Sequence, residues 1–172
     1  MLENCEKLNN QAINLASKGN FEEAIACLKR AITIEKENYL LWYNLGITYR
    51  DAGDLYNAKV SVEKAFIMNP EDPEVIETLA LLNLNLGFVD ETMRCCALAL
   101  HINPENAHIW NTIGVVNFKH GNYTDASEAF EHALVVNPYY YDALYNLRDT
   151  YEELGNKAGY EECCERLKMW TK

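Results

Sequence analysis

The side chains best suited to chemistry in this 172-residue sequence are six cysteines and four histidines. Cys95-Cys96 and Cys163-Cys164 are adjacent pairs, while Cys5 and Cys27 stand alone. Zinc sites commonly separate two thiolates by a short gap so that both can turn to one ion, and adjacent cysteines lack that gap. Cys27, Cys95 and Cys163 also share one position of a 34-residue period with Ser61 and Ala129. A position that accepts Cys, Ser or Ala asks for a small side chain, and a buried thiol behaves as a small hydrophobe. His101, His108, His120 and His132 fall at different positions of the same period, with no carboxylate or thiol recurring beside them at triad or ligand spacing. Catalysis needs convergent groups, and no phosphate-cradling glycine loop or nucleophile motif supplies them. The expectation is a chain with no catalytic residue, no metal and no cofactor.

The period itself says which elements position these residues. Gly19, Gly53, Gly87, Gly121 and Gly155 are spaced by 34 residues, and each follows a helical apolar pattern. Glycine takes the left-handed conformation that ends a helix without a Cβ clash. Pro70, Pro104 and Pro138 repeat at the same interval, each preceded by Asn. The residue before proline is pushed out of the helical region, so a second helix stops there. Each period therefore holds two helices. One such pair leaves an apolar face in water, and stability requires neighbours to stack, usually three or more.

These residues resemble the tetratricopeptide repeat: Trp42, Leu45, Gly46 and Tyr49 are followed by Ala58, Ala65 and Pro70. The pattern recurs as Trp110, Ile113, Gly114, Ala126, Phe130, Ala133 and Pro138, and more loosely as Ile76, Leu79, Ala80, Ala99 and Pro104. Leu8, Ala12, Leu15, Ala24, Leu28 and Ala31 carry it in the first unit, and Leu144, Leu147 and Tyr151 begin the last. The resemblance implies an all-α, right-handed helical-repeat solenoid of antiparallel helix pairs. It covers residues 5–172 as a single domain, with repeats at 5–38, 39–72, 73–106 and 107–140 and a capping helix pair at 141–171. Small residues at Ala12, Gly46, Ala80 and Gly114, facing Ala24, Ala58 and Ala126, let paired axes approach while larger side chains fill the seam. Arg148 and Tyr160 break that rule, and Glu152, Glu153, Glu161, Glu162, Glu165, Arg166 and Lys168 make the final pair polar, as a solvated end face requires. Met169 and Trp170 offer that end a docking role instead.

In this family the first helices of successive pairs line the concave surface, so the resemblance implies that a bound peptide meets those helices. Helical spacing places Asn10, Asn44, Thr78, Thr112 and Asn146 at one position, a polar ladder able to donate to and accept from an extended backbone. Ile13, Ile47, Leu81 and Val115 form an apolar rail beside it that either accepts ligand side chains or packs between neighbouring first helices, flanked by Tyr43, Asn111 and Tyr145. Glu74, Glu77, Asp142 and Asp149 outnumber Arg50, Lys119 and His108 on the same faces, which favours a neutral to basic ligand. The cationic clamp by which some members hold a chaperone's C-terminal carboxylate is missing, because Asn9, Glu74 and Thr78 stand where cations are needed. Tyr139, Tyr140 and Tyr141 are expected to fill the joint between two units or, where exposed, to make a binding hot spot.

Twenty-six acids against fifteen Lys and Arg give a net charge of −11. That charge repels nucleic acid and anionic membranes. The first residues have neither a basic start nor an apolar run, and no stretch approaches the ~18 apolar residues that span a bilayer. The chain reads as a cytoplasmic protein with reduced thiols. Its expected function is that of an adaptor binding an extended or helical peptide in the concave groove. The alternative is a scaffold or regulatory subunit, with homo-oligomers forming through stacked terminal helices.

Overall fold

The computed structural model describes the backbone of residues 4–170 and the side chains of 4–169. Among the described residues every regular element is a helix: α1 (Cys5–Ser17), α2 (Phe21–Ile34), α3 (Tyr39–Asp51), α4 (Leu55–Met68), α5 (Pro73–Leu86), α6 (Val89–Ile102), α7 (Ala107–Lys119), α8 (Tyr123–Val136), α9 (Tyr141–Glu153) and α10 (Lys157–Trp170). They form an all-α helical-repeat solenoid that divides into two compact units, Met1–Phe88 and Val89–Lys172. Within the first unit each helix packs on the next from α1 to α5, and within the second from α6 to α10. First helices also meet directly, α1 against α3 and α7 against α9.

Local sequence sets the helix ends. The Asn4, Asn38, Asp54, Asp72 and Asn106 side chains accept from backbone N–H groups of the first turn, satisfying donors that have no partner inside the helix. The five periodic glycines all lie at φ between 68° and 85°, and they are the only positive-φ residues described. α4, α6 and α8 stop one residue before Asn69, Asn103 and Asn137, each of which precedes a proline.

Each unit has its own core. In the first, Leu8, Ala12, Ala24, Leu28, Ala31, Leu41 and Leu45 are buried together, with Trp42 and Tyr49 packed against them. In the second, Ala126, Phe130, Ala133, Leu144 and Leu147 do the same, with Trp110 and Tyr151 alongside. Burying one leucine contributes about 1.5–3 kcal/mol, several times a typical net hydrogen bond, so this apolar seam holds the stack together. Close approach is obligatory at Gly114, where an added Cβ would lie 2.5 and 2.8 Å from Cδ1 and Cζ of the buried Phe130 ring. Both indoles also tie down the preceding loop: Trp42 Nε1 donates to the Lys36 carbonyl at 3.1 Å and Trp110 Nε1 to that of Pro104 at 2.9 Å.

Candidate functional site

In the first unit the faces of α1, α3 and α5 are joined by side-chain hydrogen bonds. Asn44 Nδ2 donates to Asn9 Oδ1 at 2.9 Å, and the Tyr43 hydroxyl lies 3.2 Å from Thr78 Oγ1. The two contacts have one logic. Both link a residue of one first helix to the residue 35 positions later, on the next. Burial pushes the Tyr43 phenol above its ordinary range, with the Thr78 contact acting the other way, so it stays neutral at physiological pH. Asn10 takes no part in this linkage and is exposed. Beside it Ile13 is 51% exposed and Leu81 39%, with Leu40 at 50%, while Ile47 is half-buried. Arg50 is engaged along its own helix, its Nε and Nη2 donating to Asp51 Oδ1 at 3.0 and 2.8 Å.

The second unit repeats the linkage between α7 and α9. Asn146 Nδ2 donates to Asn111 Oδ1 at 3.0 Å, again across 35 residues. Thr112 is buried, and its hydroxyl donates to the His108 carbonyl at 2.9 Å, so it faces its own helix rather than a ligand. Val115 lines a cleft of about 210 Å³ with Phe118, Lys119, Phe130, Asn146 and Asp149. Tyr145 stacks on Tyr141 and carries the Arg148 guanidinium 3.9 Å above its ring. Arg148 also donates to Asp149 Oδ1 at 2.9 and 2.6 Å, which removes most of the negative charge that Asp149 was expected to present. That pairing was missed in the sequence because Arg148 occupies the position where other repeats carry glycine or alanine. Its length lets it leave the seam and lie across the face.

Most of the residues expected to form the ladder are thus tied to protein atoms. Asn44, Asn146, Thr78 and Tyr43 are committed to neighbouring helices, and Asn9 and Asn111 are their partners. Each amide pair uses one N–H and one carbonyl lone pair in this contact, which leaves the donating residue one N–H and its own carbonyl oxygen outside the bond.

Of the six thiols Cys5, Cys27, Cys96 and Cys163 are buried, while Cys95 and Cys164 are half-buried. Cys96 is fully buried, and desolvation, reinforced by Cys95, pushes its thiol up to about 12. Burial holds Cys163 at about 11. His108 Nδ1 sits 3.0 Å from the Tyr140 hydroxyl, His120 Nδ1 lies 2.8 Å from the Val116 carbonyl, and His132 stacks on Trp110. Among the described residues no three metal-binding side chains converge. The side chain of Trp170 lies outside the described residues.

Family models described as TPR repeat and tetratricopeptide repeat match residues 11–59 and 111–159. A tetratricopeptide repeat protein from Parabacteroides merdae is similar in structure, with a TM-score of 0.84 at 25% identity over 97% of this chain and 66% of that one. MamA is similar with a TM-score of 0.77 at 23% identity over 91% and 90% of the two chains. Pseudomonas aeruginosa PilF reaches 0.84 at 15% identity over 96% and 75%. These two likenesses concern the fold alone. No curated protein sequence matches the chain.

Proposed function

Because this chain belongs to the tetratricopeptide-repeat family, we propose that it is an adaptor whose first-helix faces bind an extended, neutral to basic segment of another protein. Repeats of this family make protein–protein interaction modules and are generally non-catalytic. The finer reading rests on one observation. Ile13, Leu40 and Leu81 stay exposed on faces whose polar neighbours are already joined to one another. Exposed aliphatics beside the unused edges of paired amides suit a ligand that inserts side chains while its backbone hydrogen-bonds. Glu74 is exposed on α5 of the same unit and favours a cationic flank. An acidic C-terminal tail of the chaperone kind finds no clamp there, since Arg50 is held by Asp51. The six free thiols suit work in the cytoplasm, and among the described residues no helix is long and apolar enough to cross a membrane.

The test is selection of short peptides on the intact chain, repeated on Ile13→Glu with Leu40→Glu. Both positions are exposed, so helical content should not change. Selected peptides should be rich in apolar and basic residues and should lose affinity for the double variant. Equal affinity for both proteins would refute a ligand on this face.

A further inference from the structure

The second helices of the second unit enclose a cleft that the first-helix faces do not use. α8 and α10 flank α9 and leave between them a space of about 310 Å³. Leu134, Leu147 and Cys163 form its apolar floor, and Val135, 78% exposed, stands on its wall. Glu131 and Glu162 face it from α8 and α10. The Cys163 thiol is held protonated by burial, so the floor is uncharged at neutral pH. Arg166 also borders the cleft, its Nη2 donating to the Pro138 carbonyl at 3.1 Å.

The first unit supplies an internal control at the same positions. Tyr49 there corresponds to Tyr151, and Lys29 sits 5.6 Å over the Tyr49 ring where Glu131 accepts from the Tyr151 hydroxyl at 2.7 Å. Val60 stands where the cleft has Glu162, and Asn57 where it has Gly159. At Gly159 the missing Cβ gives the Tyr151 ring its place, since a Cβ there would lie 2.6 Å from the ring edge. One tyrosine thus has a lysine partner in the first unit and a glutamate partner in the second. The repeat does not demand the acidic cleft. The carboxylates are additions to it, and an apolar floor between two of them complements a cation beside an apolar side chain.

We propose that the cleft between α8 and α10 is a second docking site, taking a segment of a partner protein that inserts an aliphatic side chain next to a lysine or arginine. The inserted side chain meets Leu134, Leu147 and Val135, and the cation lies between Glu131 and Glu162. This surface is separate from the first-helix face, so the two can hold different segments.

The probe is a synthetic amphipathic peptide with a leucine stripe flanked by lysines, compared with the same stripe flanked by glutamates. Each is titrated into the isotope-labelled intact chain and followed by backbone amide shifts. Saturable shifts at Glu131 to Val135, at Leu147 and Tyr151, and at Gly159 to Arg166, seen with the lysine peptide alone and retained in the Ile13→Glu, Leu40→Glu chain, are expected. Glu131→Lys with Glu162→Val installs the residues the first unit carries at these positions and should weaken binding by about tenfold, as loss of two part-screened charge contacts predicts. Val135→Ser, at an exposed position, should weaken it without altering the unfolding temperature. Shifts that leave these cleft residues unmoved, equal binding of the glutamate peptide, or absence of saturable binding would each overturn the proposal. None of these results bears on Ile13 and Leu40, so the first-helix reading stands or falls separately.

Discussion

Asn44 donates through Nδ2 to Asn9 Oδ1 at 2.9 Å, and Asn146 makes the same bond to Asn111 at 3.0 Å three repeats along. An amide pair of this kind sets the register of neighbouring first helices, and it keeps a polar edge on the surface where an isolated asparagine would weaken the helix.

Breaking a pair should have a modest cost. A net hydrogen bond is worth about 0.5–1.5 kcal/mol, and alanine recovers up to about 0.7 kcal/mol of helix propensity. Asn44→Ala alone is expected to lower stability by less than about 1 kcal/mol in urea unfolding. A double-mutant cycle with Asn9→Ala should give a positive coupling energy, and additive effects would show that the contact does not bind the helices.

Gly114→Ala should cost more. Its Cβ meets the Phe130 ring, which is buried and has no room to turn away, so overpacking is expected to cost about 1–3 kcal/mol. Phe130→Leu in the same chain should restore part of the loss. If Gly114→Ala proves neutral by thermal unfolding, the close approach of α7 and α8 is not a constraint.

Cys96 predicts alkaline behaviour. Its thiol is raised from 9.0 to about 12 in the folded chain, chiefly by desolvation. Between those values the folded state holds a proton that the unfolded state has released. The contribution is complete below pH 9 and is lost as pH rises toward 12, with a limiting slope of about 1.4 kcal/mol per pH unit. Cys96→Ala should flatten the decline of the urea midpoint above pH 9. A thiol reagent at neutral pH should reach the half-buried Cys95 and Cys164 before Cys96 and Cys163.

Self-association through α1 can be tested by restoring the repeat's own pattern. Lys7 and Gln11 are exposed where later first helices carry the buried Leu41 and Leu45. Lys7→Leu with Gln11→Leu should produce concentration-dependent dimers in sedimentation, while the parent chain should show none through this face. Dimers of the parent that Lys7→Glu does not disturb would place any self-contact elsewhere.

The architecture was legible in the sequence because its signals are local and repeated. A glycine able to adopt φ near 80°, an Asn-Pro stop and small residues at Gly46 and Gly114 each act within a few residues, and the common period multiplies their weight. The identity of the polar position could be read the same way. Its partners could not. A period aligns residues 34 apart, yet the bonds join residues 35 apart, because neighbouring first helices pack with an offset that brings Asn9 rather than Asn10 against Asn44. The same limit hid the Arg148 guanidinium over Tyr145 and the inward turn of Thr112. The sequence by itself determined the number, type and order of the helices, through backbone preferences that each residue carries with it. Tertiary structure decided which polar atoms are spent between helices and which remain for a partner, because that depends on distances across a packed interface.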